Sequence, residues 1–309
     1  MPVLRYSLNG GAFTDVQLAP SQTSLVLSAS LTPTTTYSVE LYFRQSSQTN
    51  SYGDVAGSSG VSPTNVVRIN GVTIDGSASV SPAALRSKRM LIYGDSITQG
   101  CHANTDGSDD ATVSFACDIA LALGAEYGQL GYGGSGWTVS GGSNAPAFDT
   151  FYATHSIGRS RSFAGLDYIA VIHGGNDLRG GVAGSAIQSA CGAWLTAMRA
   201  AAGPSTILFV IVECMGAYEG NLSAAVAAYK ASSGDANVCF IDATSLFPAG
   251  VFSIAFNYSG NPFQWTYDGV HPLAFGHARI GAAYAKQIGA AMGGGTTLAG
   301  YSRARVVNG

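Results

Sequence analysis

From Arg89 onward, short apolar runs alternate with stretches of helical periodicity, and this alternation restricts the fold more than any other feature of the chain. Strands are predicted at residues 90–93, 126–130, 168–173, 207–213 and 238–241. Helices are predicted between or after them, at 112–123, 182–202, 222–231 and 274–292. In the first of these, Phe115, Ile119 and Leu123 share one face at i, i+4 and i+8. The strands are continuously apolar, as strands covered on both faces must be. Alternating β and α elements predict a parallel sheet with helices on both sides, a three-layer α/β/α arrangement. In such sheets ligands sit beyond the carboxyl ends of the strands, so chemistry is expected there.

Residues 1–85 read differently. In the segment 24–31, Leu25, Leu27, Ala29 and Leu31 fall on one side; in 37–43, Tyr37, Val39, Leu41 and Phe43 do the same. A period of two marks half-buried strands. Asn70-Gly71 lies between two β-branched runs, a strong hairpin signal. These segments predict a small β-sandwich at 1–85. The α/β domain is then expected at 86–295, with a tail at 296–309 that starts Gly-rich and ends mildly basic. That tail is either a linker and strand packed on the first domain or a loose end. A length of 309 residues fits one large domain or two unequal ones.

Composition excludes several function classes. Only 11% of residues are charged, the net charge is −3, and no basic run occurs. Nucleic-acid binding needs clustered Lys and Arg, so no nucleic-acid partner is expected. No run of 18 apolar residues exists, so no membrane span is expected. The N-terminus lacks the charged start and apolar stretch of a secretory leader. The chain is therefore either cytosolic or parted from its leader, and its polar, uncharged composition favours a secreted or periplasmic setting. Cys101, Cys117, Cys191, Cys214 and Cys239 are odd in number and widely spaced, with no zinc-like spacing. Most are read as small buried core residues, and no metal or organic cofactor is implied.

Four blocks carry chemistry. Gly94-Asp95-Ser96-Ile97-Thr98 follows the first α/β strand, where a small-residue turn lifts a serine hydroxyl over the sheet edge. A serine needs a neighbouring base to become a nucleophile. Asp268-Gly269-Val270-His271-Pro272 supplies one: three residues of separation let a turn bring the carboxylate to the imidazole, orienting it and stabilising its charged form. Taken singly, each block also reads as a strand-end or helix-end cap. Acyl transfer further needs donors to a developing oxyanion. Asn176 in His173-Gly174-Gly175-Asn176-Asp177 offers a side-chain amide. The loop Gln129-Leu130-Gly131-Tyr132-Gly133-Gly134-Ser135-Gly136-Trp137 offers backbone N–H groups that glycine leaves accessible.

Taken in order, these blocks resemble the SGNH (GDSL-type) hydrolases, named for their Ser, Gly, Asn and His blocks. The resemblance covers about residues 88–292 and implies a flavodoxin-like domain with a five-stranded parallel sheet. It implies a serine esterase with Ser96 as nucleophile, His271 as base and Asp268 as the orienting acid. The oxyanion hole would comprise the Ser96 and Gly134 N–H groups and the Asn176 side chain. Gln129 stands where the family has Asn and an added Gly where it has Ser, so Gly133 or Gly136 competes with Gly134. His173 replaces the family's aliphatic residue and is either a buried hydrogen-bonded residue or a pocket lining. A β-sandwich leading into GDSIT also resembles the two-domain esterases that deacetylate xylan and similar polysaccharides. A small-molecule or polysaccharide acyl ester, with a short acyl group such as acetyl, is then the expected substrate. Asp95, Trp137 and Trp265 are the expected substrate-binding residues, the tryptophans either stacking on a sugar ring or filling the core.

Rival readings differ in class. Gly131, Gly133 and Gly136 also spell GxGxxG after a strand, but the following segment is a loop by composition and not the helix a dinucleotide site requires. A lipid or thioester hydrolase of the same family would need a long acyl groove. An inactive carbohydrate-binding protein would explain the uncharged surface but not the full set of competent catalytic residues.

Overall fold

The computed structural model describes residues 2–20, 22–32, 34–46, 52, 67, 69–142, 145–156, 159–248, 251–252 and 265–293. The chain begins with strands β1 (Val3–Leu8), β2 (Thr14–Gln17) and β3 (Val39–Gln45). It continues through β4 (Lys88–Gly94), α1 (Ser96–Gln99), α2 (Phe115–Ala122), β5 (Ala125–Gly131) and α3 (Phe148–Phe151). A short hairpin, β6 (Thr154–Ser156) and β7 (Arg159–Ser160), precedes β8 (Tyr168–Ile172), α4 (Gly175–Arg179) and α5 (Gly184–Ala202). The last elements are β9 (Ile207–Ile211), α6 (Glu219–Ser233), β10 (Val238–Ile241) and α7 (Ala274–Ala291).

The α/β part is a five-stranded sheet in the order β5-β4-β8-β9-β10, parallel throughout. In chain order this is the 2-1-3-4-5 flavodoxin-like arrangement, whose strand order reverses between its first and third strands. Here that switch lies between β4 and β8. Successive side chains of one strand enter opposite cores. Leu91 and Tyr93 of β4 pack with Cys191, Trp194 and Leu195 of α5. Met90 and Ile92 pack with Phe115 and Ile119 of α2 and Ile280 and Tyr284 of α7. Because both faces are covered, β8 is buried along its whole length, and truncating one of its residues such as Ile169 to alanine should cost about 2–5 kcal/mol. No described helix is long and apolar enough to cross a membrane.

The N-terminal part departs from expectation. Among the described residues it forms one antiparallel sheet, β2-β1-β3, and not two stacked sheets. Residues 24–31 and 69–75 form no strand, so neither the expected strand at 24–31 nor the Asn70-Gly71 hairpin is present. The strand expected at 37–43 exists as β3, but its apolar side is turned outward: Val39, Leu41 and Phe43 are 49%, 38% and 43% exposed. The side facing the α/β part is charged. Arg5 Nη1 and Arg44 Nε both meet Asp110 Oδ2, at 2.9 and 3.1 Å, and Arg5 Nε meets Asp15 at 2.7 Å. Ion pairs to a nearly buried carboxylate thus decide which face of the strand turns inward. The tail at 296–309 lies outside the described residues.

Candidate active site

The switch point between β4 and β8 carries the site. β4 ends at Gly94, where a Cβ would sit 1.8 Å from Thr98 Oγ1, so only glycine permits the chain to turn there. Asp95 caps the next turn: its Oδ1 accepts the Ile97 N–H at 2.9 Å. Ser96 therefore opens α1 with its hydroxyl at the sheet edge. On the opposite side, Tyr267 N–H donates to His271 O at 2.8 Å and Thr266 bridges to Pro272, closing a tight loop ahead of α7. Within it Asp268 Oδ1 accepts the N–H groups of Val270 and His271, at 3.0 and 2.8 Å.

These two loops bring Ser96, His271 and Asp268 into one hydrogen-bonded chain. His271 Nε2 lies 2.9 Å from Ser96 Oγ, and His271 Nδ1 lies 2.7 Å from Asp268 Oδ2. Ser96 and His271 are almost entirely buried, so the chain is shielded from bulk water while opening on a pocket. Burial pushes the Asp268 carboxyl up, but the bonds from the His271 ring and the two backbone N–H groups outweigh it and hold Asp268 well below the usual carboxylate range. A carboxylate that stays charged fixes the imidazole with its proton on Nδ1 and leaves Nε2 to accept from the serine.

The pocket encloses about 210 Å³ and is lined by Ser96, His271, Gly134, Asn176, Met215 and Arg179, among others. Among the described residues no acceptor takes the Ser96 or Gly134 N–H; Gly134 reaches this position with φ +77°. Gly136 is excluded as an alternative because its N–H already donates to Val139 O at 2.9 Å. Gly133 lines the same pocket. Asn176 Nδ2 donates to Asp95 Oδ2 at 2.9 Å and to Ser135 O at 3.0 Å. Asp177, fully buried and with its carboxyl pushed up by burial, accepts the N–H groups of Trp137 and Thr138 at 2.7 and 2.9 Å. It thereby ties the loop carrying Gly134 to the loop carrying Asn176.

Of the expected substrate-binding residues, Asp95 lines the pocket, but both of its oxygens are engaged by the protein's own donors. Trp137 is fully buried in the core, with Nε1 donating to His173 O at 3.2 Å, and does not face the pocket. Trp265 packs behind the loop against Phe252 and Phe275. Of the two alternatives expected for these tryptophans, Trp137 fills the core and its stacking on a sugar is corrected, whereas Trp265 is half-buried and lies outside the pocket lining. His173 is buried among Trp137 and Phe148, and burial pushes its ring down to about 3, so it stays neutral. Its ring lies near the Ser135 backbone, but neither ring nitrogen meets the geometry of a hydrogen bond among the described residues, so the expected bonded state is not met. All five cysteines are free thiols, four of them buried.

Sequence reasoning missed Glu213, Asp177, Met215 and Arg179. Glu213 had a legible signal, an acid closing the apolar run Ile211-Val212. One cluster of metal-ligand types occurs among the described residues: Cys101, His102 and His271, with ligand atoms within 4.8 Å of one another. Both His271 nitrogens are already committed to Ser96 and Asp268.

Compared with known families, residues 92–279 match the GDSL-like lipase/acylhydrolase family. No curated protein sequence matches the chain. Among solved structures, the chain is similar to a carbohydrate esterase family 2 enzyme plus carbohydrate binding domain from Corynascus thermopiles (Myceliophthora fergusii). There the identity is 19%, 94% of this chain and 87% of that one are covered, and the TM-score is 0.64. It is similar as well to a family two carbohydrate esterase from Clostridium thermocellum in complex with cellohexaose (18% identity, 94% and 86% covered, TM-score 0.69). A salicylyl-acyltransferase of a tetracycline biosynthetic pathway shares the fold too, at 14% identity, 94% and 75% covered and TM-score 0.58.

Proposed function

The chain belongs to the GDSL-like lipase/acylhydrolase family, and from that premise we propose that it hydrolyses short acyl esters of carbohydrates, acetyl esters above all, through an acyl-enzyme on Ser96. Membership makes it a carboxylic ester hydrolase; the triad, the substrate and the mechanism are our reading. The observation that carries it is the hydrogen-bonded chain Ser96–His271–Asp268 opening on the pocket.

In this reading His271 Nε2 takes the Ser96 proton as the hydroxyl attacks the ester carbonyl. The carbonyl oxygen becomes an oxyanion facing the Ser96 N–H, the Gly134 N–H and the Asn176 amide. His271 then protonates the departing alcohol, and water, deprotonated by the same nitrogen, releases the acid. Asp268 stabilises the imidazolium in both steps.

The pocket supports a short acyl group. At about 210 Å³ it lies below the roughly 300–1,000 Å³ of sites that take drug-sized ligands. Met215 contributes an apolar wall suited to a methyl group. Tyr267, 39% exposed and stacked on His102 at 4.9 Å, offers the aromatic face that the tryptophans do not. The fold shared with family two carbohydrate esterases favours a sugar as the alcohol.

The test compares 4-nitrophenyl acetate, butyrate and octanoate, with acetylated xylan in parallel. Acetate preference and acetate release from xylan support the reading. Octanoate preference with inert xylan replaces it by a lipid or thioester hydrolase.

A further inference from the structure

Beneath the pocket floor a second acid meets Asp95. Glu213 follows the buried Ile211 and Val212 and is itself 2% exposed. Its Oε2 accepts the N–H of Gly175, the residue before Asn176. Its Oε1 is buried, and no donor among the described residues reaches it. The Glu213 and Asp95 carboxyls lie near enough to act on each other, and the Glu213 oxygen left without a donor is the one free to bond. Two carboxyl groups can bond only by sharing a proton, since ionised carboxylates are acceptors alone.

The surroundings say which acid carries it. Asp95 already receives the Ile97 N–H on Oδ1 and the Asn176 amide on Oδ2, each at 2.9 Å. Glu213 receives one N–H and has an oxygen to spare. The well-supplied acid is the anion and the under-supplied acid keeps the proton. Burial pushes the Glu213 carboxyl well above its ordinary range, with the Asp95 and Asp177 charges adding to the effect. Burial also raises Asp95 to about 6, against the Ile97 N–H and the His271 ring, which lower it. The other titratable groups acting on the pair among the described residues are Cys101, Cys214 and Tyr284, whose hydroxyl donates to Val212 O at 2.8 Å.

We propose that Glu213 is a positioning residue acting in its neutral form: its carboxyl proton is donated to Asp95, which stays anionic and holds the Asn176 amide toward the oxyanion. This rests on the reading of Asn176 as an oxyanion donor. Without the Glu213 proton, a lone buried Asp95 takes up a proton of its own as the pH falls toward neutrality. A protonated Asp95 donates where it used to accept, and the Asn176 side chain turns over to bond it. Its carbonyl oxygen then faces the oxyanion, where it repels charge.

Glu213→Gln keeps a donor and an acceptor; Glu213→Leu keeps neither. The Gln variant should retain kcat on 4-nitrophenyl acetate within about threefold, whereas the Leu variant should lose roughly 10–100-fold in kcat, part of what a whole oxyanion donor is worth, at little-changed KM. The acid limb of the Leu variant should also move to higher pH. Loss of kcat in the Gln variant equal to that in the Leu variant overturns the proposal, and so does full activity in the Leu variant.

A second reading needs no activity and serves if the Leu variant does not fold. A carboxyl whose folded pKa is raised stabilises the fold fully below its unfolded pKa, about 4.3 for glutamate, and loses that contribution as pH rises toward the folded value. The Tm of wild type relative to Glu213→Gln should therefore fall steadily between pH 5 and 8; the Asp95 slope is common to both and cancels. A constant difference overturns the neutral Glu213 even if Ser96-dependent hydrolysis is found. A falling difference without such hydrolysis upholds the shared proton and removes the esterase reading alone.

Discussion

The Asn176 amide nitrogen lies 2.9 Å from the Asp95 carboxylate, and its second hydrogen is taken by Ser135 O at 3.0 Å. Both hydrogens are thus committed before an ester enters the pocket. An oxyanion forming there competes with two existing acceptors, one of them charged. In the proposed reaction a neutral ester carbonyl would compete poorly and a full negative charge would compete well, so the amide is expected to discriminate between ground state and transition state.

Asn176→Ala should accordingly lower kcat by about 10²–10³-fold with little change in KM, since the bond it removes forms only as charge develops. Steady-state kinetics on 4-nitrophenyl acetate check this. A rise in KM at constant kcat would make Asn176 a substrate-binding residue instead.

Ser96→Ala and His271→Ala should each reduce kcat by roughly 10⁶-fold, the scale seen when nucleophile or base is removed from a comparable triad. The double variant should be no slower than either single one, because the two side chains act as one unit through their 2.9 Å contact. Additive losses would mean that they act separately.

Asp268→Asn keeps the oxygen that accepts the Val270 and His271 N–H groups but removes the charge. The loop should hold its shape while kcat drops on the order of 10⁴-fold, since an amide favours the wrong tautomer. The same charge stabilises the fold. With its folded pKa depressed, its contribution is complete above an unfolded value of about 3.9 and is lost as pH falls through the folded value. Acid unfolding below pH 4 should thus be shallower in Asp268→Asn than in wild type.

Asp110 joins the N-terminal sheet to the α/β part. Asp110→Ala leaves Arg5 and Arg44 with only the half-exposed Asp15 between them and removes the cap on the Thr112 N–H. Breaking a buried pair from one side costs about 3–5 kcal/mol. Urea unfolding should show a midpoint lowered to match, with kcat of the folded fraction unchanged, because Asp110 touches no pocket residue.

The α/β part was readable because burial on both faces leaves continuous apolar runs: residues 168–172 are apolar from end to end and are a strand. Ser96, Asp268 and His271 were readable as candidates because their blocks fall just after β4 and just ahead of α7, elements whose positions were clear. The N-terminal sheet was harder. Val39, Leu41 and Phe43 announce a strand, but alternation cannot say which side turns inward, and here Arg5 and Arg44 decide it by reaching Asp110, far along the chain. Trp137 stands next to the glycine loop of the candidate site and still points into the core. Glu213 was visible as a charge at the end of an apolar run, but its partner Asp95 follows a different strand, far off in the chain, and nothing in the sequence links the two.

The central claim is that Ser96 is an activated nucleophile. Incubation with a fluorophosphonate, followed by peptide mass spectrometry, tests it without any assumption about substrate. The account predicts one adduct per chain, on Ser96, formed in wild type and absent from His271→Ala. Failure of wild type to label, or labelling of Ser96 that persists unchanged in His271→Ala, would contradict it.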